Sequence, residues 1–343
     1  MHSIAVAGHL CIDIAPRLSG AADLHPGRLV EVGPLSISLG GSVANTGGVL
    51  TELGADVTPF ASIGDDDLGA LLLSKLSTEG FAPAQLSISP GSTTSYSLVI
   101  EKPGIDRTFW HHTGANDRFD GTRVDVSGRD LVHIGYPSLL PGTLIDGGRP
   151  LHALLQRARI SGATTSLDLA VVDPDSPVGA LDWSAIFTHV FAECDIASPS
   201  LDDLTSALRI NEPYSQGLVS RLADRMLADG IAVVAISAGH HGLHVRTASA
   251  ARLRAGGSEL APLAQSWADR TLTLEPLWVE NQVTTNGAGD ASTAGLLYGV
   301  TRGASLEQAA ALAVACSAAV ISGRRATPAA VTAIDPNLAR LFA

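Results

Sequence analysis

The chain has 343 residues, 45% of them hydrophobic, which is enough for a sizeable core and argues against global disorder. Lys and Arg number 22 against 34 Asp and Glu, a formal net charge of 22 − 34 = −12. That balance, with no basic run, argues against nucleic acid as a partner, because phosphate contacts dominate such binding; a small anionic ligand in a local positive pocket stays open. Cys11, Cys194 and Cys316 lie far apart and form no Cys-x-x-Cys pair, so they read as buried thiols in a reducing compartment. There is no basic n-region, Asp13 interrupts the first apolar stretch, and no apolar run reaches the ~18 residues of a membrane span. The expectation is a cytoplasmic protein without a membrane segment.

In chain order, Ser3–Gly8 reads as a short buried strand. Residues 33–41 are rich in Gly and Ser and suggest a strand followed by a turn. Residues 44–53 have helical spacing and stop at Gly54, a C′ glycine. Residues 56–63 form a strand candidate. Residues 67–76 read as a helix with acids at its start and Lys75 in its last turn, which suits the helix dipole. Residues 95–101 and 107–111 alternate like a hairpin around Lys102-Pro103-Gly104. Further strand-like runs fall at 131–134, 164–167, 195–197 and 231–237, with helical stretches between them, including 218–227. This alternation predicts an α/β fold with a parallel sheet and right-handed crossovers. Residues 248–269 are the one weakly ordered candidate, and 289–299 and 305–321 read as helices of small residues.

Two glycine turns carry the chemistry. Residues 279–285 read as a strand end and 291–298 as a helix, with Gly287-Ala288-Gly289 between them. The glycines admit unusual backbone angles and close ligand approach. The helix start offers unpaired N–H groups and partial positive charge, which together make an anion site. Asp290 falls in the first turn, where a carboxylate beside an anion site suits phosphoryl transfer; the same pattern also suits a simple helix cap. No Walker loop occurs, and Ser292 stands where a dinucleotide fingerprint needs its third glycine. Upstream, Gly40-Gly41-Ser42-Val43-Ala44-Asn45 opens another helix. Asp13 follows the first strand, beyond whose C-terminus open α/β sheets bind ligands. Asp13 and Asn45 are candidates for a polyol, or else a loop acid and a helix-start residue.

Gly40-Gly41-x-x-Ala44-Asn45, Leu53-Gly54-Ala55 and Ile63-Gly64-Asp65-Asp66-Asp67-Leu68-Gly69 together resemble the N-terminal signature of the ribokinase-like (pfkB) carbohydrate kinases. Thr284-Thr285-Asn286-Gly287-Ala288-Gly289-Asp290, followed by Ala294-Gly295, resembles their C-terminal signature. The resemblance runs from the first strand to Ala326. It implies a three-layer α/β/α fold with a mostly parallel central sheet and a small β-sheet lid. The main domain would span 1–12, 39–92 and 115–343, and the lid 13–38 and 93–114. It further implies ATP and Mg²⁺ as cofactors and a sugar or related polyol as substrate, with homodimers pairing through the lid. By the same resemblance Asp290 is the catalytic base and Gly287, Ala288 and Gly289 form the anion hole. Asp13, Gly40, Gly41 and Asn45 bind substrate. Ser237, Gly239, Gly242 and Asn286 lie near the nucleotide. Arg107, in the lid, would meet an acidic substrate or form a surface ion pair.

Two departures stand out. The family's Asn-x-x-Glu, which orders water around magnesium, reads Ser200-Leu201-Asp202-Asp203 here, so Asp203 keeps a carboxylate one methylene shorter. The acid common two residues before Asn286 is Thr284, which bears on a monovalent-cation site. The pairs His111-His112 and His240-His241 lack zinc spacing. Rival expectations are a nucleoside or vitamin-alcohol kinase of the same fold, a non-catalytic sugar or nucleotide sensor, and a nicotinamide oxidoreductase.

Overall fold

The computed structural model describes residues 2–18, 20, 25–81, 85–102 and 105–343. The strands in chain order are β1 (Ser3–Gly8), β2 (Cys11–Pro16), β3 (Leu35–Gly40), β4 (Asp56–Gly64), β5 (Gln85–Ser89), β6 (Tyr96–Lys102), β7 (Ile105–His112), β8 (Leu131–Gly135), β9 (Thr164–Leu167), β10 (Ile196–Ala197), β11 (Val233–Ser237), β12 (Leu243–Thr247) and β13 (Thr271–Leu274). The large sheet has the order β13-β12-β11-β10-β9-β8-β1-β4-β5, and only β12 runs against the rest.

The three layers follow from the strand period of two, which sends successive side chains to opposite faces. On β1, Ile4 and Val6 enter one apolar core while Ala5 and Ala7 enter the other. On β11, Val233 and Ala235 split from Val234 and Ile236 in the same way. The helices Ser42–Leu53, Ala288–Thr301 and Leu306–Ile321 cover the first face. Ile145–Ile160, Trp183–Phe191 and Gln216–Ala228 cover the second. The helix Ser42–Leu53 ends at Gly54, whose left-handed φ of 99° lets its N–H bond back to the last turn. Asp66 caps the helix Asp67–Thr78, with Asp67 in its first turn and Lys75 in its last.

A second, smaller sheet has the order β3-β2-β6-β7; β2 and β6 run parallel and the outer pairs antiparallel. The hairpin expected over 95–111 is β6 and β7, although its turn at Pro103-Gly104 lies outside the described residues, as do residues 19 and 21–24 of the expected lid. All three cysteines are buried and free. Among the described residues, no helix is long and apolar enough to cross a membrane.

Two expectations are corrected. Residues 279–285 are not a strand. Pairing on β13 stops at Leu274, and Pro276 has no N–H to extend it. Val283 and Thr284 instead donate to the Ile321 carbonyl at 2.8 and 3.4 Å, which answers an otherwise unpaired helix-end acceptor. Residues 248–269 are not weakly ordered. They fold as short helices, including Ala250–Arg254, Gly257–Leu260 and Ala264–Trp267, which bury Leu253, Leu260 and Trp267 completely.

Candidate active site

The helix Ala288–Thr301 starts over the C-terminal ends of the central strands. Its N-cap, Gly287, takes φ 76°, a left-handed conformation that favours glycine. No side chain caps this end; the Ala288 N–H donates to the Thr285 carbonyl at 3.2 Å, and the Gly287 and Gly289 N–H groups beside it stay available to a ligand. A Cβ placed on Gly289 would meet nothing within 4 Å, so the turn has room for an incoming group.

Asp290 sits in the first turn and is 7% exposed. Tyr136, just beyond β8, donates to its Oδ1 at 2.5 Å. Thr46 donates to the same oxygen at 2.8 Å, and the Asn45 amide donates to Oδ2 at 3.1 Å. Burial raises the carboxyl above its ordinary range, and the Tyr136, Thr46 and Asn45 donors oppose that rise by favouring the charged form. A buried carboxylate oriented by three donors suits a base that must be both charged and aimed.

The two signature turns are cross-linked side chain to side chain. Asn45 of the upstream turn reaches Asp290, while Asn286 of the downstream turn donates to Asp13 Oδ2 at 3.1 Å. Asn286, expected beside the nucleotide, is thus placed against Asp13. Asp13 is 5% exposed on β2, and burial raises its carboxyl against donors from Asn286, Cys11 and Ser97 and the charge of Arg107. A Cβ on Gly40 would fall 2.5 Å from that carboxylate, so only glycine leaves it room. Gly41 precedes the helix Ser42–Leu53 as its N-cap. Arg107 reaches from β7 to donate to the Thr285 hydroxyl, which bonds the small sheet to the downstream turn. This contact joins it to the site by hydrogen bond.

Beyond β9 and β10 lies an acidic neighbourhood in which the sequence reading named Asp203 and Ser237 but missed Asp168, Thr293 and Ser198. Thr293, one turn after Asp290, donates to Asp168 Oδ2 at 3.1 Å and pairs with the Ser198 hydroxyl at 2.9 Å. Burial, then the charges of Asp290 and Asp203, hold Asp168 well above the carboxylate range. Asp203 is 7% exposed and forms a capping box with Ser200: Ser200 N–H to Asp203 Oδ2 is 2.7 Å, and Asp203 N–H to Ser200 Oγ is 3.0 Å. Burial pushes Asp203 up to about 6. Ser237 ends β11 and lines a small cavity with Ser198, Gly289, Ser292 and Thr293. Gly239 and Gly242 bracket the tight turn that follows Ser237. Tyr136, Asp168 and Ser198 share one signal: each stands within a residue or two of a strand's C-terminal end, where ligands gather in parallel sheets.

The chain is similar to known proteins along nearly its whole length. The model of the "pfkB family carbohydrate kinase" matches residues 1–333. Fructoselysine 6-kinase of Shigella flexneri is 26% identical over 326 residues, covering 94% of this chain and 98% of its own. ATP-dependent ribose-1-phosphate kinase of Halopiger xanaduensis is 25% identical over 340 residues, covering 97% and 96%. The structure of Arabidopsis thaliana ribokinase complexed with ribose and ATP superposes with a TM-score of 0.72 at 16% identity, covering 97% of this chain and 99% of that one. At that identity the likeness speaks for the fold. The match over residues 1–333 places the chain in the pfkB family of carbohydrate kinases.

Proposed function

We propose that this kinase transfers the γ-phosphoryl group of ATP to a hydroxyl of a sugar or related polyol, with Asp290 as the base. The carrying observation is the convergence of Asp13 and Asp290, tied by Asn286 and Asn45, beside the uncapped helix start at Gly287. Asp13, Gly40, Gly41 and Asn45 hold the acceptor. Asp290 takes the proton of the attacking hydroxyl, a role worth roughly 10²–10⁴ in rate. The helix start at Gly287, Ala288 and Gly289 receives charge on the moving phosphoryl, at on the order of 3 kcal/mol per free amide donor. Ser237, Gly239 and Gly242 line the nucleotide side.

The donor set fits a hard divalent cation. Asp168, Asp203 and Asp290 are buried, each carboxyl is raised, and no salt bridge joins any of them to a cation among the described residues. Oxygen ligands and spare negative charge suit Mg²⁺ bound with its waters. Asp168 and Asp203 would hold it through those waters, and it would neutralise phosphate charge. The small sheet exposes Leu35, Ile37 and Trp110 on one face, an apolar surface that suits pairing with a second copy. Consumption of ATP and three buried free thiols suit the cytoplasm. The reading is tested by ADP release over a panel of sugars, nucleosides and sugar phosphates. A neutral sugar or polyol as best substrate is expected, and ATP-independent binding with no ADP release would replace the enzyme by a sensor.

A further inference from the structure

Two histidines at the acceptor end hold buried ring nitrogens without partners among the described residues. His9 follows β1 and is 3% exposed, yet neither Nδ1 nor Nε2 makes a hydrogen bond. His111 on β7 bonds the Ser97 hydroxyl through Nδ1 at 3.0 Å, and its buried Nε2 has no partner. The two rings meet edge-on with centroids 5.0 Å apart, and the Tyr136 ring lies 5.6 Å from His9.

Each ring stands one residue away from one of the two carboxylates. From His9 one step through Tyr136 reaches Asp290. From His111 one step through Ser97 reaches Asp13. The His9 ring also lies against the upstream turn, since a Cβ on Gly41 would come 2.7 Å from its Nδ1. One histidine follows a strand of the large sheet and the other lies on the small one, so the touching rings join the two sheets at the acceptor end. Leaving several buried polar atoms unmet is costly, and packing alone would be served as well by phenylalanine.

We propose that His9 and His111 read the non-reacting hydroxyls of the acceptor and select an uncharged polyhydroxyl compound over a phosphorylated one. The inference rests on the kinase reading above. A neutral imidazole offers one donor and one acceptor, and a hydroxyl is both, so the match is reciprocal; a phosphate oxygen only accepts and leaves the imidazole acceptor opposed. Burial, then the charge of His111, holds His9 well below its ordinary range, and burial with His112 brings His111 down to about 4. Arg107, in the same sheet, already donates to Thr285 and offsets the charge of Asp13.

The test compares wild type, His9→Phe, His9→Gln and His111→Phe with D-ribose, D-fructose, ribose-1-phosphate and adenosine, by ADP release and by calorimetric binding without ATP. Wild type should prefer a neutral sugar. His9→Phe should weaken binding and raise KM for that sugar by at least about tenfold, with kcat changed far less and melting temperature not lowered. His9→Gln should restore part of the loss, and His111→Phe should repeat it if His9→Phe fails to fold. Preference for ribose-1-phosphate, or binding of the preferred neutral acceptor within about twofold of wild type in a folded His9→Phe or His111→Phe variant, overturns the inference while the kinase reading stands. Absence of ADP release by wild type with every acceptor overturns both.

Discussion

The Tyr136 hydroxyl donates to Asp290 Oδ1 at 2.5 Å, tying the loop after β8 to the first turn of the helix Ala288–Thr301. This bond favours the charged carboxylate and opposes the desolvation that raises it. Tyr136→Phe therefore lifts the Asp290 pKa further. A base works unprotonated, so the acid limb of kcat/KM should move to higher pH, by about one unit for a hydrogen bond to a charged group. A pH–rate profile checks this, and an unmoved limb would separate Tyr136 from the base.

Asn286 spans from the downstream turn to Asp13, at the acceptor side. Asn286→Ala should raise KM for the acceptor by roughly tenfold, the cost of leaving a buried carboxylate short of a donor, and change KM for ATP much less. Steady-state kinetics with each substrate varied separately decides. An effect confined to ATP would put Asn286 on the nucleotide side after all.

Asp203 links pH to stability. Its folded pKa, pushed up to about 6, lies above the ordinary carboxylate value. A raised folded pKa gives a stabilising contribution that is present below the unfolded pKa and lost as pH rises through the folded one. The contribution therefore fades between about pH 4 and pH 7. Asp203→Asn keeps a side chain able to cap the helix and removes the titration, so thermal unfolding measured from pH 4 to pH 8 at low salt should show a flatter profile than wild type. A steeper profile would contradict the account. Added Mg²⁺ should raise the wild-type melting temperature more at pH 8 than at pH 5.

The apolar surface of the small sheet gives a prediction about assembly. Ile37 is 36% exposed and Trp110 45%. If this face pairs with a second copy, Ile37→Glu and Trp110→Lys should each shift sedimentation from dimer towards monomer, with little change in helical circular dichroism. Wild type that sediments as a monomer at micromolar concentration would remove the dimer from the account.

Much of the candidate site was legible because its glycine turns are local signals. Gly40-Gly41 and Gly287-Ala288-Gly289 each announce a helix start, and Asn45 and Asp290 take their places from the helical period alone. Tyr136, Asp168 and Thr293 were not legible, because what joins them is the order of strands β8, β9 and β10 under one helix, and no local pattern encodes that order. Residues 279–285 carry strand-like residues, but a strand exists only where a neighbour pairs with it; here the Ile321 carbonyl takes two of the N–H groups. Residues 248–269 hid their order because each helix there is too short to show a period, and Trp267 is fixed by tertiary contact, its indole N–H donating to the Ala304 carbonyl at 3.1 Å.

The central claim is that Asp290 is the base beside the Gly287-Ala288-Gly289 helix start. It is tested most directly by ADP release from Asp290→Asn with the best acceptor at saturating ATP, alongside thermal unfolding of the same sample. The account predicts turnover lower by at least about a hundredfold in a protein that melts no earlier than wild type, since a buried charge with a raised pKa has been removed. Near-wild-type turnover in a folded Asp290→Asn protein would contradict it.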